Sequence, residues 1–132
     1  MAADISPPTL DDILRSAERI LADLPPQFRE LLADVAVKVI DWPDNELLDQ
    51  MGIVDPLELT GLYQGTPIGE SMSYGDSTGP NLIFLFRMPI LFEWCERKIG
   101  LEEVVFDVLT HEIGHHFGMN EAEVLRMEGR QP

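Results

Sequence analysis

Residues 101–121 read LEEVVFDVLTHEIGHHFGMNE, and the rest of the chain is best read outward from them. Leu101, Val104, Val105, Val108 and Leu109 recur at the three- and four-residue spacing that places side chains on one face of a helix. The same helix runs on into His111, Glu112 and His115, an H-E-x-x-H sequence. Positions four apart on a helix share a face, with β-carbons about 5–6 Å apart. His111 and His115 can therefore converge on one Zn²⁺, whose bonds to imidazole nitrogen are ~2.0–2.1 Å long. Glu112 sits about 100° round the axis from His111, which places it next to a metal-held water rather than on the metal.

An open zinc site of this kind takes three protein ligands and a water, so a third ligand is expected. On an unbroken helix, residue 121 would lie about 240° round from His115, on the wrong face. Gly118 can adopt φ > 0, end the helix and turn the chain back. Glu121, three residues beyond that glycine, is the first candidate and Glu123 its rival. Asn120 is weaker, because a neutral amide is a poor zinc ligand. His116 points about 100° away from His115 and is expected either to support the site or to lie at the surface.

Before this region the pattern alternates between helix and strand. Thr9, with Asp11 and Asp12 behind it, reads as the cap of a helix whose apolar stripe is Leu10, Ile13, Leu14, Ala17, Ile20, Leu21 and Leu24, stopped by Pro25-Pro26. A short second helix is expected to turn Phe28, Leu31 and Leu32 inward. Val35 to Ile40 is β-branched and alternates around Lys38, which predicts a strand. Pro43-Asp44 opens another short helix with Leu47, Leu48 and Met51, ended by Gly52. From Val54 to Pro80, glycines and prolines predict a long loop, and a loop of that length in a small domain is often functional. Asn81 to Phe86 is an apolar strand, either an edge against which an extended peptide pairs or wholly internal. Pro89 to Lys98 reads as helix up to Gly100, and Glu121 to Met127 as a last short helix.

The chain has 132 residues, a single-domain length over 1–132, and a chain of this size buries roughly 70% of the surface its unfolded form exposes. Its formal net charge is −15, with nine basic residues against twenty-four acidic ones. That balance excludes a nucleic-acid binder, which needs clustered Lys and Arg. Cys95 is the single cysteine, so neither an internal disulfide nor a Cys-x-x-Cys metal site can form. Cys95 and Trp94 are expected to pack in the core. No stretch approaches the ~20 apolar residues of a membrane span. The first ten residues lack the basic start and apolar run of a secretory signal, so the expected compartment is the cytoplasm and no membrane partner is expected.

With H-E-x-x-H-x-x-G-x-x-E as it stands at residues 111–121, the chain resembles the zincin-like metallopeptidases of small bacterial proteins, the minimal zincins. The likeness extends through Gly61-Leu62-Tyr63-Gln64-Gly65-Thr66-Pro67 and the Asn81–Leu91 strand and turn. The motif is also similar to that of the metzincins, whose last ligand is a histidine where this sequence has Glu121. The resemblance implies a compact α+β fold in which a small sheet packs on helices, one of them the active-site helix. It implies Zn²⁺ as cofactor and a peptide or protein substrate. The expected chemistry is hydrolysis, with Glu112 as general base and Tyr63 of the glycine-rich loop as a candidate helper of the oxyanion. The competing expectation is a zinc that only stabilises the fold or an interaction surface. Such a site would have no need of Glu112, and usually has four protein ligands with cysteine prominent.

Overall fold

The structure, a computed structural model, describes residues 6–65, 80–119 and 122–123. It is an α+β fold of five helices and one three-stranded sheet among those residues. Helix α1 (Leu10–Asp23) begins as its sequence predicts. Thr9 Oγ1 accepts from the Asp12 amide at 3.0 Å, and the Thr9 amide donates back to Asp12 Oδ2 at 2.9 Å. That reciprocal pair satisfies two backbone donors that a helix start otherwise leaves without partners. These bonds to Thr9 also hold the Asp12 carboxyl below its ordinary pKa.

Helix α2 (Pro26–Leu31) is shorter than two turns. Phe28 and Leu32 are half-buried but Leu31 is exposed, which corrects the expectation that all three face inward. In so short a helix Phe28 and Leu32, four apart, take the inward stripe, and Leu31 falls at its edge. Strand β1 (Val35–Ile40) alternates half-buried and exposed residues, with Lys38 on the exposed side. Helix α3 (Asn45–Met51) is capped by Asp44, whose Oδ1 accepts from the Leu47 amide at 2.8 Å.

The expected loop contains more structure than its composition suggests. A 3-10 turn spans Pro56–Glu58 and strand β2 spans Gly61–Gln64. Residues 66–79, the rest of that loop apart from Gly65 and Pro80, lie outside the described residues. So does the helix expected over Glu121–Met127, except for residues 122 and 123, which are helical.

Strand β3 (Asn81–Phe86) is central. It pairs parallel with β1, from Val35 opposite Asn81 to Ile40 opposite Phe86, and antiparallel with β2, from Gly61 opposite Leu85 to Gln64 opposite Leu82. The reading of this strand as a sheet edge is overturned. Its unbroken apolar run is the mark of a strand used on both faces. Ile83 and Leu85 enter the main core with Ile13, Ala17 and Ile20 of α1, while Phe86, with Phe84 packed against it, joins Leu48 and Leu59 in a second cluster on the opposite face.

Helix α4 (Arg87–Arg97) follows β3 directly, two residues earlier than expected. Pro89 is its third residue, inside the first turn where the missing N–H has no intrahelical partner to lose. Cys95 is exposed and Trp94 half-buried, so the expectation of a core role holds only in part for Trp94 and fails for Cys95. Helix α5 (Leu101–His116) then crosses the main core, contributing Val104, Val105, Val108, Leu109 and Ile113. No described helix is long and apolar enough to cross a membrane.

Candidate metal centre

The buried stripe of α5 fixes how the helix rolls against the sheet, and the roll decides where the next residues point. With Leu109 and Ile113 held in the core, His111 is half-buried, His115 exposed and Glu112 8% exposed. The His111 and His115 rings lie with centroids 4.9 Å apart at 66°. Ligating atoms of His111, Glu112 and His115 all lie within 4.8 Å of one another, so the three side chains the spacing singles out converge on one point. Such a cluster could hold a metal ion. Two imidazoles with a nearby carboxylate are donors that suit zinc.

The helix stops as its glycine predicts. Gly118 has φ +73°. Its amide donates to the His115 carbonyl at 3.0 Å, and the Met119 amide to the Gly114 carbonyl at 2.8 Å. This is the Schellman arrangement, which satisfies carbonyls a helix end would otherwise leave open. The chain therefore turns immediately after the two histidines. Glu121 lies outside the described residues. Glu123 is exposed and is not part of the cluster of His111, Glu112 and His115.

Glu112 owes its place to a second element. Gly61 of β2 packs so closely on α5 that a β-carbon there would come 2.7 Å from Val108 Cγ1, 3.2 Å from the Phe84 carbonyl oxygen and 3.3 Å from Glu112 Cγ. Only a glycine lets the strand and the helix approach in this way. In the sequence Gly61 stands among the glycines of the expected loop, and nothing next to it announces this approach. The signal for the strand lay in the apolar Leu62-Tyr63 that follows it, enough when a central partner is available.

His116 is not a surface residue, one of the two roles left open for it. It is 1% exposed. Its Nε2 lies 3.1 Å from the Leu31 carbonyl oxygen and its Nδ1 2.8 Å from the Tyr63 hydroxyl. A carbonyl can only accept, so Nε2 carries the proton; in the neutral ring Nδ1 then accepts, and Tyr63 donates to it. The hydroxyl expected to help an oxyanion thus directs its single proton at His116. Burial, with the charge of Asp34 adding to it, pushes the Tyr63 phenol above its ordinary pKa and keeps it a donor to higher pH.

On the side facing α4, Arg97 Nη1 bridges Glu93 Oε2 at 3.0 Å and Asp107 Oδ2 at 2.9 Å, tying α4 to α5 one turn before His111. At its start α5 is held to α1 through Glu102, whose Oε1 accepts from Ser16 Oγ at 3.2 Å and Arg19 Nε at 3.0 Å.

No curated protein matches the chain. The family model of the zincin-like metallopeptidases matches residues 32–130, about three quarters of its length, from the end of α2 through the H-E-x-x-H helix. The chain therefore belongs to the zincin-like metallopeptidases.

Proposed function

We propose that the protein is a zinc metallopeptidase that hydrolyses peptide bonds, with His111, His115 and Glu121 holding the metal and Glu112 acting as general base. The observation that carries this reading is the convergence of His111, Glu112 and His115 within 4.8 Å on one helix of a family member. A zinc ion held there would lower the pKa of water towards ~7 and polarise a carbonyl. Glu112 takes the proton of the attacking water and returns it to the departing amine. Its burial against Gly61 keeps the carboxylate aimed at one place instead of sampling solvent.

Strand β2 supports the substrate assignment. Among the described residues it pairs only with β3, and its inner face lies along α5. An extended peptide adding to such an edge would gain main-chain hydrogen bonds and lie beside the cluster. The net charge of −15 favours basic segments in that peptide.

The test is Glu112→Gln, which keeps size and hydrogen bonding and removes the base. The variant is expected to stay folded, retain zinc, and cleave an unstructured peptide library at least ~10²-fold more slowly than wild type, the low end for general-base catalysis. Equal cleavage by the two proteins would sink the mechanism. Cleavage by neither would leave a structural zinc as the better account. Loss of zinc along with activity would make Glu112 a ligand.

A further inference from the structure

We propose that His116 positions the metal centre from behind. Latched between Tyr63 of β2 and the Leu31 carbonyl at the end of α2, it fixes the last turn of α5, from which His115 and the chain leading to Glu121 depart. This inference rests on the metal reading above and gives its geometry a cause.

The need for a latch follows from where the ligands sit. His115 is the penultimate residue of α5, and helix ends fray because their backbone bonds open most easily. The bonds donated by the Phe117, Gly118 and Met119 amides shape the turn, but they are all made within α5 and its own continuation. Something must hold that turn to the body of the fold, and the residues after His115 do so. His116 binds β2 through Tyr63 and the end of α2 through Leu31. Its ring lies edge-on to Tyr63, centroids 5.4 Å apart, while Phe117 stacks on Phe28 of α2 at 5.7 Å.

The proton arrangement of the latch is directional. Leu31 O selects the Nε2–H form of His116, and that form presents Nδ1 as an acceptor to the Tyr63 hydroxyl. Asp34 reinforces the choice. Asn81 Nδ2 holds its Oδ2 at 2.9 Å, leaving Oδ1 3.9 Å from Nε2, on the side where a proton is favoured. Strand β2 and the end of α2 with the turn after it, none of which contributes a metal ligand among the described residues, thus converge on the residue next to His115. A group that orients a ligand without touching the metal commonly accounts for about 10–100-fold in metal affinity.

Tyr63→Phe tests the latch, since it keeps the ring and removes only the hydroxyl. Two quantities are measured on each protein: zinc affinity by competition with a chromophoric chelator, and amide hydrogen exchange of the metal-free form. The expected result is a zinc affinity about tenfold weaker. Exchange at Phe117, Gly118 and Met119 should accelerate relative to the amides of α1. Wild-type affinity together with unchanged exchange at those three amides would overturn the proposal. So would exchange that rises equally in α1 and α5 while affinity holds, because that outcome describes general loosening. Ring-nitrogen spectra of the wild-type protein give a check that needs no variant: His116 should be in the Nε2–H form, and an Nδ1–H form would also overturn it. A wild-type protein that took up no zinc would defeat the metallopeptidase reading, while exchange and tautomer would still decide whether the latch exists.

Discussion

The two ends of α5 are built differently. At the C-terminal end, Gly118 closes a Schellman turn, His116 is buried with a partner on each ring nitrogen, and Phe117 stacks on Phe28. At the N-terminal end, Gly100 is the cap residue, makes no side-chain capping bond and faces open space. The polar ties there run from Glu102 to the buried Ser16 and to an exposed Arg19, with Lys98 at φ +56° just before. Surface ion pairs of that kind contribute little, in the range of ~0–1 kcal/mol. Near that end Val104 and Val105 are buried in the main core, so apolar packing holds it, whereas the turn after His115 is tied by polar and aromatic contacts as well.

The largest effect that sharpens this contrast comes from the ligands themselves. His111→Ala or His115→Ala should abolish tight zinc binding, a loss beyond the ~100-fold that marks removal of a merely supporting group. Glu121→Ala should weaken zinc retention strongly and Glu123→Ala should not, as read by zinc content after gel filtration against a weak chelator. If the two glutamates ranked the other way, the third-ligand role would pass to Glu123. If either histidine variant kept wild-type affinity, the cluster would not be the metal site.

A smaller effect is expected at the turn. At φ +73° a β-branched side chain is strained, so Gly118→Val should cost about 1–3 kcal/mol and weaken zinc binding without deleting a ligand. Chemical denaturation and zinc titration of the same variant would check it. A fully stable Gly118→Val protein with unaltered zinc affinity would show that the C-terminal end of α5 is less tightly specified than its hydrogen bonds suggest.

These ends were not equally legible in the sequence. The period of Val104, Val105, Val108 and Leu109 is local, so the helix, its azimuth and the convergence of His111 with His115 could be read from spacing alone. Gly118 was legible for the same reason: it stands where a helix must stop for a third ligand to return. The latch was not legible, because it joins residues far apart in the chain. Nothing near His116 says that Leu31 will offer its carbonyl or that Tyr63 will be in a strand. Strand β2 has four residues and begins with glycine, and it forms because β3 supplies a partner for each of them. Its loop-like composition records the close approach of Gly61 to α5, not freedom. The exposure of Cys95 was missed because a residue type's average burial says little about one position, here in the last turn of α4, on the side away from its buried Pro89 and Ile90.

Gly61→Ala follows, with an effect between those of the two ends. The added methyl meets Val108 and the Phe84 carbonyl before it meets Glu112. Overpacking of this size should cost about 1–2 kcal/mol. Because Glu112 Cγ is the third contact, cleavage should fall further than stability alone accounts for, with zinc content unchanged. Thermal denaturation and peptide cleavage, compared at a temperature where both proteins are fully folded, separate the two effects. Activity falling only in proportion to the folded fraction would remove Gly61 from the account of how Glu112 is placed.

The smallest expected effect is at the N-terminal end of α5, and its sign is opposite. Gly100 has φ −65° and ψ 148°, the extended conformation of a helix cap, and a β-carbon built there meets nothing within 4 Å. Gly100→Ser therefore introduces no clash and no strain. It supplies a hydroxyl that can accept from an amide of the first turn, where the glycine has no side chain to offer one. Serine exceeds glycine at this position by only a few tenths of a kcal/mol, so the melting temperature should rise by about 1 °C. Zinc affinity and cleavage should not change, since the substitution lies three turns from His111 and the turn at Gly118 is untouched. That independence is the informative part. If Gly100→Ser altered zinc affinity while stabilising the fold, strain would be passing along the whole of α5, and the site would depend on both ends of the helix rather than on the turn at Gly118.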